Sequence, residues 1–383
     1  MSETTPELGT LTCGFLLPSG FEFGAVPSLA SSAIAPSGLE APGLGPLAAF
    51  IGTFTGHGFN TIFRPDIGSP TLLPTPPTGP ADNLLELNLT AETLSFSSSL
   101  GSVPNRGEVQ PDIFLNGIPY LQTISDITDP AHPIGIHFEP GLWMSIPATT
   151  DPAEGATLVR MASIPHGTTI CAQGTSQLIS GPPTIPPVSI TPPTGRFPSQ
   201  TAAASNTRRI PQDLSAFIKD GTITQAILDD PNTVLRNAIA GQTITSTAVI
   251  SIATSPASPL FGGGTDNMAF LLGDKTAVQP NAQTTQMTAT FWIETVQQVI
   301  TVPASAGQSP LTIPATATGR PAPAFRVQPP GPITEPRTLT VTSTQIQYSQ
   351  KVVLNFNGIL WPHVSVATLV PSDPITIPAS ALA

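Results

Sequence analysis

Apolar and polar positions alternate along most of the chain with the two-residue period of β-strands. Leu84–Thr90 is the clearest stretch: Leu85, Leu87 and Leu89 share one face, Glu86 and Asn88 the other. Phe50–Phe59 reads as a first strong strand, with glycines at 52, 56 and 58 that let a strand bend or another backbone approach closely. The alternation predicts further strands over 93–98, 119–127, 134–138, 142–146, 156–163 and 168–179. It resumes over 243–254, 267–273, 284–302, 338–347, 350–357 and 361–370. Residues 211–240 break the pattern and read as short helices over 211–219 and 223–230 and a third after Asp230. There Asp230 supplies the cap, Pro231 sits in the first turn and Gly241 stops the helix.

Many strands with one helical interruption predict an all-β fold: a large antiparallel barrel or sandwich with a short helical insertion around 211–240. Residues 1–44 lack a sustained period and are expected to be irregular. A single barrel domain is expected over 45–375, carrying a proline-rich insertion over 181–210 that is largely extended, and 376–383 remain as a tail. A hinge at 181–210 between two domains is the other division. The 46 prolines and 32 glycines make about a fifth of the 383 residues, near the level that signals disorder. The 39% apolar content, and the way the prolines punctuate alternating segments, place them instead in the loops of a β-protein.

Only 10% of residues are charged, against about 25% in an average domain. The net charge of −11, from 13 basic and 24 acidic residues, argues against nucleic acid or an anionic membrane as partner. No apolar run reaches the roughly 18 residues of a membrane span. The acidic start Met1–Leu8 is unlike a secretory signal, so a cytoplasmic location is expected. Cys13 and Cys171 read as free, buried thiols, with a pairing as the alternative. The phosphate-binding loop, the His-Glu-x-x-His zinc helix, paired Cys-x-x-Cys and the Gly-x-Ser-x-Gly elbow do not occur.

In so uncharged a chain, ionisable groups in apolar strands stand out, because burying them is costly unless they are paired or liganded. His137 and Glu139, two apart, share one face of a strand. A carboxylate beside an imidazole fixes its tautomer and makes a general acid/base unit; a strand-end ion pair closing at Pro140-Gly141 is the plainer reading. Arg160, among Leu158, Val159, Met161 and Ala162, calls for a carboxylate such as Glu139 or Glu294, or for an anionic ligand group. Arg64, before Pro65, is a similar case. His166, between Pro165 and Gly167, sits in a turn that can reach a cavity mouth. His363, Ser365, Ala367 and Leu369 share one face of the last strand and Val364, Val366 and Thr368 the other. His363 then is either a lone imidazole facing a cavity, suited to haem iron, or a core histidine bonded to a backbone carbonyl. His57 and His132 are expected at the surface.

The segment Ala49-Phe-Ile-Gly52-Thr-Phe54-Thr-Gly56-His-Gly58-Phe-Asn60 resembles the Gly-x-Trp-x-Gly-x-Gly opening strand of nitrobindin-like and calycin-like haem or fatty-acid barrels, with Phe54 in place of the usual Trp. The last strand, Trp361-Pro-His363-Val-Ser-Val-Ala367-Thr, is similar to the nitrobindin-like terminal strand, whose histidine is the axial ligand of haem iron. From residue 45 onward the chain also resembles a group of fungal and bacterial proteins of similar length. They share Gly-Phe-Asn-x-Ile-x-Arg-Pro (58–65), His-x-Glu-Pro-Gly (137–141) and Met-Ala-Ser-Ile-Pro-His-Gly-Thr (161–168), a likeness that brings no function with it.

The nitrobindin likeness implies a calycin-like barrel whose mostly apolar cavity holds haem b or another small apolar ligand. It would make His363 the metal ligand, Arg160 a contact to the cofactor, and His137, Glu139 and His166 the catalytic groups of peroxidase-like or diatomic-gas chemistry. A second expectation is a cofactor-free lyase, isomerase or cyclase acting on an apolar, carboxylate-bearing substrate. A third is a structural or assembly protein without a site, and homo-oligomerisation stays open under all three.

Overall fold

The alternating segments fold into ten long strands, each hydrogen-bonded to its neighbours in sequence. They are β1 (Gly52–Pro65), β2 (Asn83–Phe96), β3 (Ile113–Asp126), β4 (Ile134–Ile146), β5 (Thr157–Ile164), β6 (Thr168–Ser180), β7 (Thr243–Ala253), β8 (Gln283–Val302), β9 (Arg337–Phe356) and β10 (Ile359–Pro371). All adjacent pairs are antiparallel, and β10 returns to β1, with Gly56 opposite Leu369 and Ile62 opposite His363. The result is a closed up-and-down barrel, an architecture that leaves no open sheet edge. The computed structural model describes residues 43–66, 83–191, 202, 208–256, 262–273, 280–307, 309–315, 321–356 and 358–382. Cys13 and most of the segment expected to be irregular lie outside them, as does much of the proline-rich insertion.

Four local readings change. Phe50 belongs to a 3-10 helix, Gly45–Phe50, and β1 starts only at Gly52, whose φ of +119° suits glycine. The segments 134–138 and 142–146 are one strand: Pro140 stays in the wall because pairing with β5 begins one residue later, at Gly141 opposite Ala162. Likewise 338–347 and 350–357 fuse into β9, as Ser349-Gln350-Lys351 continues the ladder to both neighbours. The stretch 267–273 divides into a short strand, Gly264–Asn267, beside β6 and one helical turn, Ala269–Leu272; a short apolar run cannot be told apart by period alone.

The helical insertion appears as α1 (Ser215–Lys219), α2 (Gln225–Asp229) and α3 (Thr233–Ile239). Asp230 lies two residues ahead of the α3 cap, Asn232. It ties the turn together by accepting from the Asn232 and Val188 N–H groups and from the Arg236 guanidinium. These helices cover the outward faces of the wall, where Leu85, Leu87, Phe63, Trp292, Trp361 and Val364 pack against Ile223, Ile227 and Leu235. A third small core lies where β8 and β9 extend past the barrel, against the sheet of Leu311–Pro314, Ala324–Val327 and Ile375–Ile377. The expected tail is therefore partly a strand.

Inside the barrel one end is solid. Leu47 and Phe50 of the 3-10 helix plug it, both fully buried. Phe50 stacks on Phe96 at 4.6 Å between ring centroids and meets Trp143 edge-on at 5.7 Å; Trp143 in turn meets Phe291 at 5.1 Å. Such aromatic contacts add to the area buried. Phe50→Ala should cost about 3–5 kcal/mol of stability, read as a lower urea midpoint with little change in slope. A loss below about 1 kcal/mol would mean the plug does not support the barrel.

Candidate functional site

Above the aromatic end, the inward positions of successive strands turn polar. The sequence alternation that buries Ile118 and Trp143 also points Tyr120 and Gln122 of β3, Glu139 of β4, Arg160 of β5 and Tyr348 and Gln350 of β9 into the barrel. Arg160 is 2% exposed and Glu139 0%. Arg160 Nη2 donates to Glu139 Oε1 at 2.5 Å, its Nε to the Tyr120 hydroxyl at 2.8 Å and its Nη1 to Gln350 Oε1 at 2.6 Å. Tyr120 donates to the same Glu139 oxygen. Glu139 Oε2 faces His137 Nε2 at 3.1 Å. Burial alone would raise the Glu139 carboxyl, but the Arg160 charge and the His137 and Tyr120 hydrogen bonds outweigh it and hold it down to about 2.

A second buried carboxyl lies across the barrel. Glu92 of β2 accepts from Tyr348 at 2.5 Å, Thr90 at 2.8 Å and Gln122 at 3.4 Å. Burial pushes it above the usual carboxylate range, outweighing those hydrogen bonds and the lowering effect of the His137 charge. Two carboxyls in one polar layer are thus driven in opposite directions by their surroundings.

This layer is the floor of a cavity of about 410 Å³ in the open half of the barrel. Gln122, Tyr348 and Gln350 form its base. Asn60, Asn88, Ser365 and the imidazoles of His137, His166 and His363 stand on its walls, and Ile62, Val352, Leu354 and Phe356 make it apolar. Among the described lining residues there is no lysine or arginine, and the one carboxylate, Glu86, is paired with Arg64 at 2.6 Å.

The residues singled out from sequence come together here. His137 and His166 lie side by side, ring centroids 5.6 Å apart, and His166 is held by the Ile136 backbone and kept below its ordinary pKa by burial and by the neighbouring His137. His363, Ser365, Ala367 and Leu369 all face inward, and burial holds the His363 imidazole down to about 4, hence neutral. The backbone-carbonyl partner expected of a core histidine is replaced by a side chain: Asn60 Nδ2 lies 2.6 Å from His363 Nε2 and 2.8 Å from Ser365 Oγ. Asn88 Nδ2 donates to Asn60 Oδ1 at 3.3 Å, which orients that amide. Of the two carboxylates offered to Arg160, Glu139 is the partner. Glu294 lies on the outer face of β8 against Gln345, where burial raises it to about 7. His57 and His132 are exposed. Cys171 is a free thiol on the outer face of β6, away from this cavity.

Sequence reading missed Asn60, Glu92, Tyr120, Gln122, Tyr348 and Gln350. For Asn60 a signal existed, since it aligns across the ladder with Ser365 of the inward face.

No protein-family model matches the chain, and no curated protein matches it. Among solved structures, the crystal structure of Rv2717c from M. tuberculosis is similar at 11% sequence identity and a TM-score of 0.34, over 87% of this chain and 99% of that one. Among the described residues, no helix is long and apolar enough to cross a membrane.

Arg160→Met would leave Glu139 buried without its cation and should cost about 3–5 kcal/mol at neutral pH, whereas Arg160→Met/Glu139→Leu should recover most of that. Because folded Glu139 is held to about 2 against an ordinary 4.5, the stability it contributes is present above pH 4.5 and lost as pH falls toward 2. The gap between wild type and Arg160→Met should therefore narrow in acid. Urea midpoints showing the same gap at neutral pH and near pH 3 would contradict the pairing.

Proposed function

We propose that this protein binds a small, uncharged, largely apolar molecule in the open half of its barrel. The observation that carries this reading is a cavity of about 410 Å³, within the range of ligand sites, whose described lining mixes aliphatic side chains with amides and imidazoles and contains no lysine or arginine. Arg64 is already on Glu86, and Arg160 spends its donors below the floor on Glu139, Tyr120 and Gln350. A ligand carboxylate entering this space would lose its water and find no countercharge, a cost that neutral ligands avoid. The resemblance of the first and last strands to ligand-holding barrels agrees with an apolar guest, and a cavity of this size disfavours a purely structural protein.

Haem fits less well. A buried neutral imidazole suits iron, but His363 Nε2 is taken up by the Asn60 amide, and the described lining holds no lysine or arginine to meet propionates. The residues present do not fit haem, and no step is assigned to it.

Fluorescence titrations with N-phenyl-naphthylamine, a neutral probe, and with cis-parinaric acid, a carboxylate, test the reading. The neutral probe should bind at least about tenfold more tightly, since an unpaired buried carboxylate costs more than the ~1.4 kcal/mol that corresponds to tenfold. Val352→Trp, which fills the cavity, should abolish the signal, and added haemin should give no Soret band beyond that of free haemin. Tighter binding of the carboxylate, or a haemin complex lost in His363→Ala, would overturn it.

A further inference from the structure

The hydrogen bonds around Arg160 fix the polarity of two groups that line the cavity. A guanidinium has donors only, so the atom of Gln350 that meets Arg160 Nη1 at 2.6 Å must be its oxygen. The Gln350 amide nitrogen is thereby turned away from Arg160, on a residue that lines the cavity. An ionised carboxylate has acceptors only, so the His137 nitrogen 3.1 Å from Glu139 Oε2 must carry its hydrogen. In the neutral imidazole the lone pair then resides on Nδ1, for which the described residues supply no hydrogen-bond partner. One buried cation thus sets, directly on one side and through Glu139 on the other, an N–H donor in the base of the cavity and a nitrogen base on its wall, on strands β9 and β4 that face each other across the barrel. The Tyr348 hydroxyl, by contrast, is spent on Glu92 at 2.5 Å.

Resting on the cavity reading above, we infer that this donor–base pair catalyses proton transfer next to the carbonyl of a neutral ketone or enone. The C–H bond α to the carbonyl breaks and its proton passes to His137 Nδ1. The bonding pair moves toward the carbonyl, leaving an enolate whose oxygen accepts from the Gln350 amide N–H. The imidazolium, held by Glu139, either trades that proton for one from solvent and delivers the solvent proton to the α carbon, which completes exchange, or passes the proton to the γ carbon of a β,γ-unsaturated ketone, which yields the conjugated isomer. Charge and atoms balance over the cycle, with no oxidant, reductant or cofactor. His137 and Gln350 are the catalytic residues; Arg160 and Glu139 are positioning residues. The absence of a lysine or arginine from the described lining makes the substrate neutral, unlike the carboxylate-bearing one anticipated from sequence.

The test uses the full chain with α-tetralone in deuterated buffer. NMR reads loss of the α-CH₂ signal, and saturation transfer in the same sample reads binding. Wild type should exchange the α protons well above the buffer rate. His137→Ala and Gln350→Leu should each lower kcat about a hundredfold or more while tetralone still binds. Arg160→Lys, which keeps the charge but loses the fork, should lower kcat at unchanged KM; loss of binding together with turnover would assign Arg160 to structure alone. Failure of tetralone to bind would sink the cavity reading and this inference with it. Binding without exchange above buffer, or exchange that survives in His137→Ala, would overturn this inference alone and leave the cavity standing.

Discussion

The Arg160–Glu139 pair is the constraint around which the interior of this barrel is arranged. A guanidinium and a carboxylate removed from water on both sides gain from each other only if the remaining donors and acceptors are also met. Here they are met by Tyr120, Gln122, Gln350 and His137, drawn from β3, β4 and β9. That requirement turns a set of unrelated strands into one polar layer. Below it the barrel is filled by aromatic rings; above it the chain leaves space.

The layer also separates two electrostatic settings. Near Arg160, a carboxylate stays ionised and orients an imidazole. Near Tyr348, a buried carboxylate hydrogen-bonded to Tyr348, Thr90 and Gln122 rather than to a guanidinium is driven toward its protonated form. The neutral His363 and the Asn60–Asn88 amides extend the same logic upward, so that the walls offer hydrogen bonds without net charge. A guest in this space is selected by shape, apolar contact and one or two directed hydrogen bonds rather than by ion pairing.

Much of this was legible from residue order, and the failures share a cause. The barrel followed from two-residue alternation, which also grouped His363, Ser365, Ala367 and Leu369 on one face, and the cost of burying charge named Glu139 as one of two carboxylates offered to Arg160. The fused strands were missed because Pro140-Gly141 and Tyr348-Ser349 look like punctuation, while in the wall Gly141 packs against Tyr120 and Tyr348 reaches Glu92. Neutral side chains such as Gln122, Tyr348 and Gln350 carry no sign of being inside, since an inward polar residue and a solvent-facing one alternate identically. Their role depends on partners as far as 256 residues away, as between Tyr348 and Glu92, and only strand register supplies it.

The claim most open to direct test is that the buried pair dictates the state of the His137 ring. Nitrogen NMR of the His137 imidazole in its neutral form should show the proton on Nε2 and Nδ1 bare. Arg160→Lys, which retains the charge beside Glu139, should keep that tautomer. A ring protonated at Nδ1, or one exchanging between both forms as a free imidazole does, would contradict the arrangement at its root.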